Sequence, residues 1–130
     1  MKAKILFLYP NASGIRRIPL GIAILSSCLK KEGHKVDLFD TTFYQGSDID
    51  NDTREDLGFV LKVDMTILHK TCVKTDVRKD FIKKVKSFKP DIIAISLLQD
   101  NFHYTRKHFY GFKEFTNAFV IAGNVMPTLA

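Results

Sequence analysis

Residues 4–40, KILFLYPNASGIRRIPLGIAILSSCLKKEGHKVDLFD, decide how this chain is read. Lys4 to Tyr9 is a continuous apolar run of strand length. That pattern suits a strand covered on both faces, as in a parallel sheet. Pro10 and Asn11 stop it. A loop follows, holding Ser13, Gly14, Arg16 and Arg17. Pro19 suits a first helical turn, where its missing N–H costs nothing. The spacing predicts a helix over about 19–32. Leu20, Ile24 and Cys28 fall on one stripe of it, and Ile22, Leu25 and Leu29 on the next, so a wide apolar face is expected to be buried. Cys28 then reads as a small buried hydrophobe. Lys30 and Lys31 suit the negative end of the helix dipole, and Gly33 suits the C-terminal cap. Val36 to Phe39 is a second short strand, ending at Asp40.

Working outward, the rest of the chain extends this strand–helix–strand unit. Residues 45–75 are its least regular part, polar and acidic at first, and read as an irregular insertion. Asp48-x-Asp50-x-Asp52 imitates the start of a calcium loop. Thr53 and Phe59 stand where that loop needs Gly and Glu, so the match fails. Asp76 is the expected N-cap of a second helix, with Phe81, Ile82, Val85 and Phe88 as its buried stripe and Pro90 as its stop. Asp91 to Leu98 (DIIAISLL) has the strongest buried-strand pattern in the chain. Gln99–Asn101 reads as a loop, about 102–116 as a third helix with Phe102, Phe109, Phe112 and Phe115 inward, and Ala118–Ala122 as a fourth strand. The order β-α-β-insertion-α-β-α-β predicts an α/β Rossmann-like domain of three layers, with a mostly parallel sheet and right-handed crossovers. Strand four has no helix after it, so a single domain over 1–130, truncated after strand four, is expected to be a fragment of a longer protein.

The chain has 130 residues, 45% hydrophobic and 26% charged, which suits one globular domain. No stretch approaches the ~20 apolar residues of a membrane span. The opening apolar run is too short for a signal peptide, so a cytoplasmic protein is expected. Net charge is +6 and the pI about 9.4. The basic residues are spread along helices, with no nucleic-acid signature beside them, so no nucleic-acid partner is expected. Two cysteines, Cys28 and Cys72, make neither a disulfide framework nor a metal motif. His34, His69, His103 and His108 have no Cys, His or acid at ligand spacing. No triad, P-loop or GxGxxG is present, so no catalytic residue is assigned.

In open α/β sheets, ligands sit outside the carboxyl ends of the strands. That directs attention to the loop at 11–17, which leads into a helix N-terminus beside two arginines and suits either an anion or plain solvent. It also directs attention to Ser96 and Gly123, expected side by side on neighbouring strands. A glycine there lets a ligand approach the backbone. On spacing alone, Ser96 is expected to bond a neighbouring main-chain group.

Together, ILFLYPN, IPLGIAILSSCLKKEGHKVDLFD, KPDIIAISLL and VIAGNVMPT resemble the N-terminal cobalamin-binding (B12-binding) domain of radical S-adenosylmethionine proteins. The resemblance covers nearly the whole chain outside 45–75. It implies flavodoxin-type strand order and a cobalamin cradled on the carboxyl edge. The implied cofactor-binding positions are Pro10, Asn11, Ser13 and Gly14 of the first loop, Gly21 of the P-L-G helix start, Ser96 and Leu98 of an S-x-L motif, Gly123 and Asn124 at a G-G pair, and Pro127 of the P-T that follows. Asn124 replaces the second glycine. Methionine-synthase-type domains carry D-x-H-x-x-G after the first strand, with the His on cobalt. Here the stretch is Tyr9-Pro10-Asn11-Ala12-Ser13-Gly14, so no axial His and no metal-ligating residue of this chain is implied. The C-x-x-x-C-x-x-C motif is absent. S-adenosylmethionine and the 4Fe-4S cluster would therefore belong to a radical SAM domain downstream in the same chain, which would carry methyl-transfer or cyclase-like chemistry. Gly33-His34-Lys35-Val36 also suits a different class, the N-terminal half of a two-domain glycosyltransferase. A degenerate, cofactor-free interaction module is the third reading.

Overall fold

A computed structural model describes residues 2–11, 18–44, 73, 75–124 and 127. The first strand, β1 (Lys4–Tyr9), pairs in parallel with two neighbours: β2 (Lys35–Asp40) on one side and β3 (Ile92–Ser96) on the other. A fourth strand, β4 (Phe119–Gly123), pairs in parallel with β3, giving the order β2-β1-β3-β4. The sheet is all-parallel, so the fold is α/β and Rossmann-like, in the strand order of the flavodoxin type.

Registered neighbours share a face. Leu6, Leu8, Phe39, Ile93 and Ile95 form one floor. It is covered by α2 (Val77–Phe88), through Val77, Phe81 and Val85, and by α3 (Gln99–His108) with the residues just beyond it, through Tyr104 and Phe109. Phe81, 1% exposed, lies at the centre of this side. Its ring meets those of Phe39, Phe109, Phe112 and Phe115 at centroid distances of 5.1 to 6.2 Å, all edge-on, as ring quadrupoles prefer. The opposite floor is Ile5, Phe7 and Tyr9, with Val36, Ile92 and Ala94 half-buried beside them. Among the described residues it is covered by α1 (Leu20–Lys31), of which Ile22 alone is buried.

Several expectations hold at the level of single caps. The Asp76 carboxylate accepts from the N–H groups of Arg78 and Lys79 at 2.9 and 3.1 Å, and these bonds hold its pKa below the usual value. Gly33 sits at φ +83° just past α1, a conformation that a side chain would strain. Lys89 closes α2 in the left-handed region at φ 51°, directly before Pro90, which excludes a further helical turn.

Others need correction. Pro19 caps α1 from outside and Leu20 begins it. Cys28 is exposed, as are Leu20, Ile24 and Leu25, so the apolar face read as buried is mostly bare within this chain. Gln99–Asn101 is the first turn of α3, because Asn101 Oδ1 accepts from the Leu98 N–H at 2.8 Å and fixes the helix start there. That helix ends at His108. Gly111 at φ +65° turns the chain, and Phe112–Glu114 is a separate 3-10 turn that brings Phe112 and Phe115 back to the core. The insertion leaves and returns at one place. Tyr44 and Val73 form a parallel bridge, with the Val73 N–H donating to Phe43 O at 2.6 Å. The acidic run, His69 and Cys72 lie outside the described residues.

Candidate functional site

The chain leaves β1 toward β2 on one side and leaves β3 toward β4 on the other. The carboxyl ends of β1 and β3 therefore flank the topological switch point, where open α/β sheets form their ligand crevice. Five of the sequence-derived positions stand on this edge: Pro10 and Asn11 after β1, Ser96 at the end of β3, Gly123 at the end of β4, and Asn124 next to it. Leu98 caps α3 just behind them. Gly21 is exposed on the first turn of α1, and Pro127 is exposed. Ser13, Gly14, Arg16 and Arg17 lie outside the described residues.

Ser96 and Gly123 are registered neighbours, as expected. Ser96 Oγ accepts from Asn124 Nδ2 at 3.1 Å, so its partner is a side chain and not the main-chain group that spacing suggested. The Ser96 carbonyl accepts from Asn101 Nδ2 at 3.2 Å, which ties α3 to the strand end. The Leu97 N–H donates to Gly123 O at 2.8 Å and extends the β3–β4 ladder past the strands. Asn124 takes φ 93°, the left-handed conformation that its short amide tolerates best after glycine. A Cβ built on Gly123 meets nothing within 4 Å, so the backbone there is open to a ligand.

The β1 end is built differently. Asn11 is 8% exposed and Thr41 is fully buried. Thr41 Oγ1 accepts from the Asn11 N–H at 2.7 Å, and its own proton is within reach of the carbonyls of Tyr9 and Asn11. Asn11 Nδ2 donates to Thr42 Oγ1 at 3.0 Å. The Thr42 N–H and hydroxyl both donate to Asp40 Oδ1, at 2.8 and 2.6 Å. Asn11, read as a cofactor contact, thus ties the turn after β1 to the turn after β2. Sequence reasoning missed Thr41 and Thr42. The available signal was Asp40-Thr41-Thr42 at a strand end, an Asx-turn spacing in which the carboxylate bonds two residues on.

A second polar group sits where the chain returns from the insertion. The Tyr44 hydroxyl donates to Asp80 Oδ2 at 3.0 Å, and the Thr75 hydroxyl bonds the same oxygen. Burial first, then this carboxylate, pushes the Tyr44 pKa up to about 12. Burial also raises the Tyr104 phenol and, with Lys107 nearby, lowers the His108 imidazole that lies against it at 4.6 Å. Arg78 lies over the Tyr110 ring at 3.7 Å and donates to the carbonyls of His108 and Tyr110, joining α2 to the end of α3. His34 Nδ1 accepts from the Ala3 N–H, a structural use.

Among the described residues no cluster of three His, Cys, Asp or Glu side chains is placed to hold a metal ion, and no helix is long and apolar enough to cross a membrane. Compared with known proteins, the chain matches no family model, no curated protein and no solved structure.

Proposed function

We propose that this chain is a cobalamin-binding accessory domain that works with a radical SAM domain further along the same polypeptide. The observation that carries the reading is the carboxyl edge at the ends of β3 and β4. Ser96 and Gly123 stand in register there, and Gly123 is exposed with open space where a side chain would be. A bulky planar cofactor, or its tail, needs such a stretch of backbone without side chains. The sequence motifs that resemble cobalamin domains end on this same edge.

The residues fit such a group by shape and by main-chain chemistry. Gly123 gives close approach. Ser96 and Asn124 give a hydroxyl and an amide. The Leu98 N-cap region begins α3, whose N-terminus favours negative charge such as a tail phosphate. When bound, cobalamin supplies a cobalt-carried methyl group. The chain's own residues bind and orient it.

The test is retention of hydroxocobalamin by the full-length protein after desalting, read by colour and visible spectrum. Retained red-brown protein with a shifted spectrum is expected, and Gly123→Val should weaken retention by about tenfold or more through lost approach. No retention by the full-length protein sinks the reading. One observation favours the cofactor-free module in that event: Asn124 and Ser96 already satisfy one another.

A further inference from the structure

A cleft lies at the amino ends of β3 and β4, on the edge of the sheet opposite Ser96 and Gly123. It opens between the end of α2 and the segment that links the 3-10 turn to β4, and it holds about 400 Å³. Clefts that take small molecules run from roughly 300 to 1,000 Å³. Its apolar lining comes from Val85 and Pro90, both buried, and from half-buried Phe115. Its polar lining is mostly donors. Lys86 and Lys89 stand on the α2 side, and Thr116 and Asn117 on the other.

These donors are free to act. Among the described residues, the Lys86 and Lys89 ammonium groups and the Asn117 amide have no hydrogen-bond or ion-pair partner. Thr116 Oγ1 accepts from the Ala118 N–H at 3.1 Å, which leaves its own proton to donate. The one acid in the lining is Asp91, and its Oδ2 accepts from the Lys4 N–H at 2.7 Å. Nor does the helix end account for the two lysines. Its last-turn carbonyl already has a cation, because Lys4 Nζ donates to Phe88 O at 3.3 Å.

Lys89 adds a second, independent observation. It sits at φ 51° and ψ 66°, in the left-handed region. Glycine is the usual residue at such a helix end, and a following proline favours extended backbone instead. The other described residues with positive φ are Gly33, Gly111 and Asn124, all types that tolerate it. Lys89 is the exception, and it is the exception that brings a charge to the cleft. Backbone held in an unfavourable region at a cleft points to a use for its side chain.

We infer that this cleft binds a small organic anion, with a phosphate head between Lys86, Lys89, Thr116 and Asn117 and an apolar body against Val85, Pro90 and Phe115. Two ammonium groups, a hydroxyl and an amide converge on one place, and charge-assisted bonds to phosphate are the strong ones. The apolar lining selects a head that carries a body over a bare ion. The site lies on the amino edge, so it stands apart from the cobalamin reading.

Isothermal titration of the full-length protein with phenyl phosphate tests it. One molecule per chain should bind, with a Kd on the order of 1 mM that weakens as salt rises. Inorganic phosphate should bind at least about fivefold more weakly, for want of the apolar body. Lys89→Gly should raise the Kd about tenfold and leave the Tm no lower, since glycine suits that backbone. Asn117→Asp, at an exposed position, should weaken binding by a similar factor through repulsion. Lys83→Met, exposed on the same helix but outside the cleft, should change nothing. No saturable binding overturns the inference. So does inorganic phosphate that binds as well as phenyl phosphate, or Lys83→Met that weakens binding as much as Lys89→Gly. A Lys89→Gly protein that melts earlier, or that binds as the parent does, overturns it too.

Discussion

At the residue scale, Thr41 does more for the carboxyl edge than any position the sequence singled out. It is fully buried, its main-chain N–H donates to Tyr9 O, and its hydroxyl accepts from the Asn11 N–H, which Tyr9 O shares. Thr41→Val keeps the volume and removes the acceptor. The Asn11 N–H keeps its bond to Tyr9 O at 3.1 Å, so the loss is that of one buried hydrogen bond, about 0.5–1.5 kcal/mol. Urea unfolding should report a loss of that size, with an unchanged slope against denaturant, and a loss below the error of the measurement would deny Thr41 this role. The residue was hidden because its importance is non-local: a Thr after a strand is ordinary until Asn11, 30 positions earlier, is brought beside it. Tyr44 gives a second residue-scale expectation. Its folded pKa of about 12 lies above the ordinary phenol value of 10.0, so the fold prefers the neutral phenol. The unfolded chain loses that proton first as pH rises. The stabilisation is therefore complete below pH 10 and lost on the way through about 12. Titration of phenolate absorbance should show a phenol ionising late, and Tyr44→Phe should remove one equivalent from that late portion. Loss of an equivalent from the early portion instead would contradict it.

At the element scale, the strands were the most legible part. Lys4–Tyr9 was read with its observed limits, because an apolar run between polar punctuation has few alternatives, and β3 and β4 differ from the reading only at their ends. Helix α2 was legible to its cap, since Asp76, the Phe81–Val85 stripe and Pro90 are all local signals. Helix α3 was not. Its start depends on the Asn101 amide reaching back to Leu98, and its end on Gly111 adopting a positive φ, so the aromatic spacing alone ran the helix about two turns too far. Helix α1 failed in the opposite way. Its limits are legible to within a residue, but its apolar stripes do not by themselves imply burial within the chain. Hydrophobic pattern says that a surface leaves water; it does not say which molecule covers it. Of the candidate site, the pairing of Ser96 with Gly123 was legible from alternation and register. The hydrogen bond between Ser96 and Asn124 was not, because it depends on the left-handed turn after β4.

At the scale of the whole molecule, the two faces of one sheet have unequal cores. Among the described residues, the α2–α3 face joins eleven buried residues including Phe81, whereas the α1 face joins four. Stability is therefore uneven. With only Ile22 fully buried, α1 can lift from the sheet while β1, β3 and α2 stay folded, which is a sub-global opening. Native-state hydrogen exchange should report that opening. Amides of β1 and β3 exchange only through deeper opening, so they should be far better protected than those of α1. Protection of α1 that equals that of β1 would mean that the four buried residues on its side suffice to hold the helix.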